Sequence, residues 1–219
     1  MTDRSRPSPR GASTRDALIE AATLVFARER FGSANLREIA QIARVNPALI
    51  GYHFQNKEGL YLAVFERMLG RIRSAMDPAL ADLEACLAAP PGAPREQLLE
   101  PLLRFVETLL GHMVHEHPAW GELIVQELQA PTAAFEVLFG GMMQRAHGLL
   151  VRVLLRLRPG DPPAQVRLLA ASIICQAAVV RISRAPLQRL MGWATLGDRE
   201  LAAMQAQIRR NTTLIVLGD

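Results

Sequence analysis

The sequence predicts an all-α protein with one small and one larger domain. Half of its 219 residues are hydrophobic, but only 5% are aromatic, and Ala and Leu outnumber the β-branched residues that strands favour. Apolar residues recur at helical spacing in most segments, and clusters of Pro and Gly separate these segments. No segment predicts a strand. A chain of this length has room for two hydrophobic cores.

The first predicted element is an amphipathic helix that begins near Ser13. Ser13 and Asp16 resemble an N-terminal capping pair, and the apolar residues that follow, such as Val25 and Phe26, fall on one face. The turn around Gly32 ends this helix near residue 30. Residues 1–11 are rich in Pro, Ser and Arg, so we expect a disordered tail before it.

Residues 35–60 predict two short helices that are joined by a tight turn and followed directly by a third. Asn35 would cap the first short helix, with Glu38 closing a capping box. Asn46 would cap the second, with Pro47 in its first turn, where a missing N–H costs nothing. This arrangement is typical of a helix-turn-helix, in which one helix braces another in the DNA major groove. The segment therefore predicts double-stranded DNA as a partner.

The charge of the chain agrees with an anionic partner. The net charge is +4 and the pI is about 9.8, and residues 1–60 hold nine Lys and Arg against six Asp and Glu. The one lysine, Lys57, begins the third helix of the motif, where we expect it to contact a phosphate. Arg4, Arg6 and Arg10 of the tail would either be solvated or reach a minor groove as an arm.

Further helices are predicted downstream, and Pro78 would limit or kink the first of them. Their predicted ranges are 57–74, 79–89, 95–116, 118–129, 132–157, 163–184 and 198–217. We expect a loop between the last two, from residue 186 to 197. The longest apolar run, residues 168–180, is too short to span a bilayer, and the N-terminus has no apolar signal segment. These features predict a cytoplasmic protein without membrane contact, with Cys86 and Cys175 as buried thiols.

A specific combination of residues points to a family. The residues of this combination are Phe26, Ile39, Ala40, Ala43, Val45, Asn46, Tyr52, His53, Phe54, Lys57, Glu58 and Leu60. In this combination residues 12–72 resemble the DNA-binding domain of the TetR family of bacterial transcriptional regulators. Residues 73–219 resemble the helical ligand-binding and dimerisation domain of that family. Within it, residues 131–135 and 191–193 are similar to a CecR-like branch.

The resemblance implies a DNA-contacting surface on both helices of the motif, while Ile50 and Phe54 pack inward. The implied DNA-binding residues are Arg37, Gln41, Arg44, Asn46, Pro47, Ala48, Leu49, Gly51, Tyr52, His53 and Lys57. The sequence departs from the family pattern at Arg44, where Gly is common, and at Gly51, where Tyr is frequent.

The recognition helix, residues 47–53, carries no Arg, Asn, Gln or acid, so it lacks the side chains that pair bidentately with bases. We therefore predict that Arg37, Gln41 or Arg44 reads base edges, that Ala48 or Leu49 contacts thymine methyl groups, and that DNA shape contributes.

A homodimer on a palindromic operator is expected, because one short helix gives too little affinity and two-fold symmetry matches a palindrome. The last two helices offer the best surface, since residues 168–180 are apolar nearly all round and the final helix carries an apolar stripe. The predicted interface residues are Ile173, Ala177, Val180, Leu201, Met204, Ile208 and Ile215. An internal core is the alternative role for these residues.

A small-molecule effector is expected in residues 95–157, which concentrate large and adaptable side chains. The predicted lining residues are Phe105, Leu109, His112, Met113, Trp120, Glu127, Phe135, Phe139, Met142 and Met143.

The alternative is a helical enzyme or metal-binding protein that uses His112, His115 and His117. Zinc partners at fixed spacing are not identifiable, and the H-E-x-x-H, G-x-S-x-G and phosphate-loop motifs are missing from the sequence. We therefore predict a ligand-responsive regulator, by default a repressor, with no catalytic residue, cofactor or metal.

Overall fold

The computed structural model describes residues 9–218, and the regular structure within them is helical, which confirms the all-α class. A π-helical turn, Phe139–Met143, lies between the seventh and eighth helices. The α-helices are α1 (Pro9–Ser33), α2 (Leu36–Ile42), α3 (Ala48–Phe54), α4 (Lys57–Cys86), α5 (Arg95–His115), α6 (Pro118–Gln129), α7 (Ala133–Leu138), α8 (Gln144–Leu157), α9 (Pro163–Ile182), α10 (Arg184–Met191) and α11 (Asp198–Leu217).

Helix α1 begins four residues earlier than expected. Ser13 lies inside it and does not cap it, because the chain is already helical from Pro9. The helix breaks where predicted, at Arg30, whose φ of 56° and ψ of 158° are not helical. The expectation of a disordered tail, with Arg4 and Arg6, falls on residues outside the described range, as does the side chain of Arg10.

Three expected boundaries are wrong. Helix α4 continues through Pro78 to Cys86, so there is no separate helix at 79–89. A proline removes one backbone hydrogen bond, and burial of the flanking Met76 and Leu80 offsets that loss. The helix expected at 132–157 is interrupted by the π-helical turn, which contains Gly140. Part of the loop expected at 186–197 is instead helix α10.

The described chain divides into two compact units. Unit 1 contains the chain up to Leu69 together with His117–Leu138, and unit 2 contains Gly70–Glu116 and the chain from Phe139 onward. The sequence placed one boundary between residues 72 and 73. In the structure the chain first passes from unit 1 to unit 2 after Leu69, three residues earlier. Helices α6 and α7 belong to unit 1 together with the N-terminal helices.

Unit 1 has an aromatic core around Tyr61. Its ring lies 4.9 Å from the ring centroids of Phe26 and Phe31 and 5.0 Å from that of Phe65. These residues bring α1 and α4 together, and Ile39 of α2 is fully buried in the same unit. Aromatic pairs at this spacing stabilise a core beyond the area they bury.

Two consecutive polar residues of α6 fasten it to the N-terminal helices. Gln126 donates from Nε2 to the carbonyl of Ala27, in α1, at 2.9 Å. The carboxylate of Glu127, only 1% exposed, accepts from the Tyr61 hydroxyl at 2.7 Å and from the backbone N–H of Thr132 at 2.9 Å. Burial and the Glu127 carboxylate raise the pKa of Tyr61. Because buried polar groups need partners, these bonds fix the position of α6 within unit 1.

Unit 2 is built around α5, which packs against α8, α9 and α11. Arg209 of α11 pairs with Glu100 and Glu107 of α5, the latter at 3.0 Å. Arg181 of α9 donates to the carbonyls of Met113 and Glu116, which satisfies the C-terminal end of α5.

Helix α9 differs from the other described helices in its hydropathy. Among the described helices it alone is long and apolar enough to cross a membrane, with a mean hydropathy of 1.5 over an 18-residue window. Of the residues in that window, 28% are buried. Its buried face packs on α5 and α8, as a core helix does.

Candidate nucleic-acid interface

The turn between α2 and α3 is closed at both ends by local hydrogen bonds. Asn35 caps α2 as predicted, accepting from the Arg37 N–H at 2.9 Å. The Glu38 carboxylate does not turn back toward this cap, because it accepts from Arg28 of α1 at 2.6 Å. Hydrogen bonds to Glu38 and Glu29 raise the pKa of Arg28.

Arg44 occupies the left-handed position of a Schellman motif at the end of α2. Its φ is 55°, its N–H donates to Gln41 at 3.1 Å, and the Val45 N–H donates to Ala40 at 3.0 Å. Glycine is usual at such a position because it has no Cβ. This conformation favours the glycine of the family pattern, and in this chain Arg44 adopts it.

Asn46 caps the recognition helix α3 as predicted. Its Oδ1 accepts from the Ala48 N–H at 2.9 Å, and Pro47 has helical φ and ψ of −53° and −29°. Ile50 and Phe54 are buried, as the resemblance implies. Helix α3 therefore has a fixed inward side.

The connection from α3 to α4 was not foreseen from the sequence. Gln55 has a φ of 69° and a ψ of −52°, and the Asn56 N–H donates to the Phe54 carbonyl at 2.8 Å, which is a γ-turn. Asn56 then caps α4 through the Gly59 N–H at 2.8 Å. A Cβ on Gly59 would lie 2.1 Å from the Phe54 oxygen, so only glycine fits. Asn56 followed three residues later by Gly59 was the available sequence signal.

The outward side of α3 carries Ala48, Gly51 and Tyr52 at helical spacing, and Gln55 follows in the turn after the helix; we call these four residues the α3 face. All four are exposed, and the Tyr52 side chain is exposed to 81%. His53 is half-buried, and its ring lies 5.0 Å from that of Tyr52 in an edge-on arrangement.

The other residues of α2, the turn and α3 with an implied DNA role differ in their exposure to solvent. Arg37, Gln41 and Arg44 are exposed, as are Asn46 and Pro47, while Leu49 is half-buried.

Lys57 has an intramolecular role that the sequence did not indicate. It is half-buried, its Nζ donates to the Gly32 carbonyl at 3.1 Å, and it lies 5.2 Å from the centroid of the Phe31 ring. The ammonium thus ties the start of α4 to the C-terminal end of α1. Its expected phosphate contact remains a prediction.

The residues expected to line one ligand pocket are divided between the two units. Phe105, Leu109 and His112 are buried in unit 2, where Met113, Phe139, Met142 and Met143 also lie, whereas Trp120, Glu127 and Phe135 belong to unit 1. The Glu127 carboxylate accepts hydrogen bonds from Tyr61 and Thr132, and its expected ligand contact remains a prediction.

Each of the three histidines has a partner of its own. His112 Nδ1 lies 3.3 Å from Glu116, His115 Nε2 lies 3.4 Å from Asp198, and His117 caps α6 through the Ala119 N–H. Burial is the main cause that lowers the pKa of His112. Among residues 9–218 no group of three or more His, Cys, Asp or Glu is placed to hold a metal ion.

Several residues predicted at a dimer interface are instead buried within the protomer. Ile173, Ala177, Val180 and Ile208 are in the core, and Leu201 and Met204 are half-buried, so of this set only Ile215 is exposed. An apolar helix does not reveal which side faces its own core.

From Leu168 onward the exposed residues of α9 lie on the opposite side, along what we call the α9 stripe: Leu168, Ser172, Cys175, Val179 and Ile182. Cys175, expected to be buried, is exposed in the middle of it.

Comparisons with known proteins agree with this architecture. Residues 18–64 match the family described as bacterial regulatory proteins, tetR family, and residues 98–218 match the C-terminal domain of the HTH-type transcriptional dual regulator CecR. The chain is 25% identical over 211 residues to CecR of Shigella flexneri, covering 95% of this chain and 94% of that one. It is 34% identical over 93 residues to the HTH-type transcriptional repressor NicS of Pseudomonas putida, which spans 42% of this chain and 40% of NicS.

A solved structure shows the same fold. A TetR-like transcriptional regulator from Rhodococcus sp. RHA1 superposes with a TM-score of 0.65 at 21% identity, covering 98% of this chain and all of that one. The CecR match alone spans more than half of the sequence, and the enzyme alternative is overturned because both matched families consist of regulators. The protein therefore belongs to the TetR family of transcriptional regulators and carries a C-terminal domain of the CecR type.

Proposed function

We propose that this protein is a cytoplasmic, ligand-responsive repressor that binds a palindromic operator as a homodimer. The observation that carries the proposal is a capped helix-turn-helix whose α3 face is exposed and whose cations Arg37 and Arg44 are exposed beside it. Helix α3 carries no acid, so nothing on it repels phosphates. Repression is proposed because the relative NicS is named a repressor, although CecR is named a dual regulator.

The α9 stripe is the proposed dimer surface. Leu168, Val179 and Ile182 are exposed to 72%, 48% and 57%, and no charged residue interrupts the run from residue 168 to 180. A monomeric soluble protein rarely exposes a continuous apolar stripe of this kind. In a homodimer the same stripe from each protomer would be covered by a two-fold contact.

A small-molecule effector is proposed for unit 2. The structure of FadR from Bacillus subtilis, solved in complex with stearoyl-CoA, shares the fold with a TM-score of 0.60 at 16% identity. In this chain the buried Phe105 and Leu109 supply apolar surface, and His112, whose side chain is 6% exposed, supplies a polar group nearby on α5. An effector that prefers one arrangement of the dimer would shift DNA affinity.

The dimer and the DNA binding can be tested together. Binding duplexes are first selected from random DNA with the full chain, and wild type is compared with Val179→Asp by light scattering and fluorescence anisotropy. We expect wild type to be a dimer and Val179→Asp to be a monomer that binds DNA at least tenfold more weakly. Arg152→Asp, an exposed change on α8, is the matched control and should remain a dimer. A wild-type monomer that binds selected duplexes tightly would refute the dimer, and absence of salt-sensitive binding would refute the DNA-binding function.

A further inference from the structure

The N-terminal part of the α3 face, Ala48 and Gly51, presents only carbon. Ala48 presents a methyl group, Gly51 presents only its Cα, and Pro47 beside them is also exposed and apolar. At the cap, Asn46 Oδ1 is occupied by the Ala48 N–H at 2.9 Å. Two polar side chains remain on the face, the Tyr52 phenol and the Gln55 amide, and both lie at its C-terminal end.

In the major groove a base pair that contains thymine presents a C5-methyl group beside its hydrogen-bonding groups, and a G·C pair presents no methyl group. A surface of carbon atoms gains nothing from a base donor or acceptor and would leave such groups unpaired. It gains free energy when it covers a methyl group. We infer that the α3 face reads its operator through thymine methyl groups, which pack against Ala48 and the Cα of Gly51. This inference rests on the proposed DNA-binding function and specifies what that site recognises.

Gly51 provides an independent observation. A Cβ built on it would meet no atom within 4 Å, and its φ is not positive, so neither packing nor backbone conformation requires glycine there. Glycine inside a helix is destabilising relative to alanine. The protein's own fold therefore gives no reason for Gly51, and the space it leaves opens outward. A DNA surface that approaches the α3 backbone closely does give a reason.

Charge complementarity agrees with DNA as the occupant. Arg37 and Arg44 are exposed on α2 and on the turn that precedes α3, and α3 itself carries no acid. Phosphate contacts of these arginines would hold the helix in register, while the α3 face supplies the specificity.

The test replaces thymine by deoxyuridine, one position at a time, in a duplex selected with the full chain. This change removes the methyl group and keeps the base pair. We expect at least one thymine in each half-site whose replacement weakens binding about fourfold, as expected for one buried methyl-sized group. In Ala48→Gly the difference between thymine and uracil at one of these positions should disappear.

Gly51→Ala provides a second measurement that does not depend on folding defects. The variant should melt at a higher temperature than wild type and yet bind DNA at least fivefold more weakly. Gly148→Ala on α8, where a Cβ also meets nothing within 4 Å, should stabilise the protein and leave DNA affinity unchanged. Salt-sensitive binding that no deoxyuridine substitution weakens would overturn this inference alone, as would full affinity in Gly51→Ala. Failure to bind any selected duplex would overturn the proposed function as well.

Discussion

Replacing Arg44 by Gly is expected to stabilise the protein and at the same time to weaken its binding to DNA. Arg44 has a φ of 55° in the turn between α2 and α3. A left-handed conformation costs a residue with a Cβ about 1–2 kcal/mol, and the greater freedom of glycine in the unfolded chain takes back about 0.4–1 kcal/mol. The net expected gain in the free energy of unfolding is therefore about 0.5–1 kcal/mol.

The effect on DNA binding has the opposite sign because the cation is lost. If Arg44 contacts one phosphate, its removal should reduce the slope of log affinity against log salt concentration by about 0.9. Arg44→Ala is the matched variant, since it loses the same charge but keeps a Cβ in the left-handed position. We expect Arg44→Ala to bind DNA as weakly as Arg44→Gly and to be about 1 kcal/mol less stable than it.

Urea unfolding gives the stabilities, and anisotropy titrations at several KCl concentrations give the slopes. If the Gly and Ala variants unfold at the same urea concentration, the left-handed turn does not carry the cost assigned to it. If both variants keep the wild-type salt slope, Arg44 does not contact phosphate.

Two further outcomes are expected. Gly59→Ala should destabilise the protein by about 1–3 kcal/mol, because its Cβ would lie 2.1 Å from the Phe54 carbonyl oxygen. The control is Gly32→Ala, where a Cβ meets nothing within 4 Å. Equal melting temperatures of the two variants would contradict the expectation. Burial lowers the pKa of His112 from its usual 6.5, so the unfolded chain takes up a proton that the folded chain does not, and stability should fall as the pH drops below about 6.5. Urea unfolding at pH 7.5 and 5.5 should show that the free energy of unfolding falls less in His112→Gln than in wild type. An equal fall in the two proteins would rule out this residue as the cause.

Features with local causes could be predicted from the sequence. Asn35 and Asn46 cap the two helices of the motif because a cap needs only a short polar side chain and the N–H two residues on. The inward positions of Ile50 and Phe54 follow from helical spacing. Helix α10 and the unbroken α4 were missed, since proline rules treat Pro186 and Pro78 as boundaries while packing decides whether the helix continues.

Features that depend on distant contacts could not be predicted. Gln126 bonds to a carbonyl 99 residues away, and Glu127 bonds to a hydroxyl 66 residues away, so no local pattern signals that α6 belongs to unit 1. The sequence of α9 is apolar nearly all round and likewise does not indicate which side of the helix faces the core. Only the fold shows that Ile173 faces the core while Val179 faces outward.

The attachment of α6 to the N-terminal helices has a practical consequence for protein engineering. The DNA-reading module is discontinuous in sequence, because His117–Leu138 folds with the chain up to Leu69. A fragment that stops near residue 72 would lack the hydrogen bonds that Glu127 and Gln126 make with the Tyr61 hydroxyl and the Ala27 carbonyl. The same is true of a chimera that grafts only the N-terminal segment onto another regulator. Transplanting operator recognition intact requires both segments.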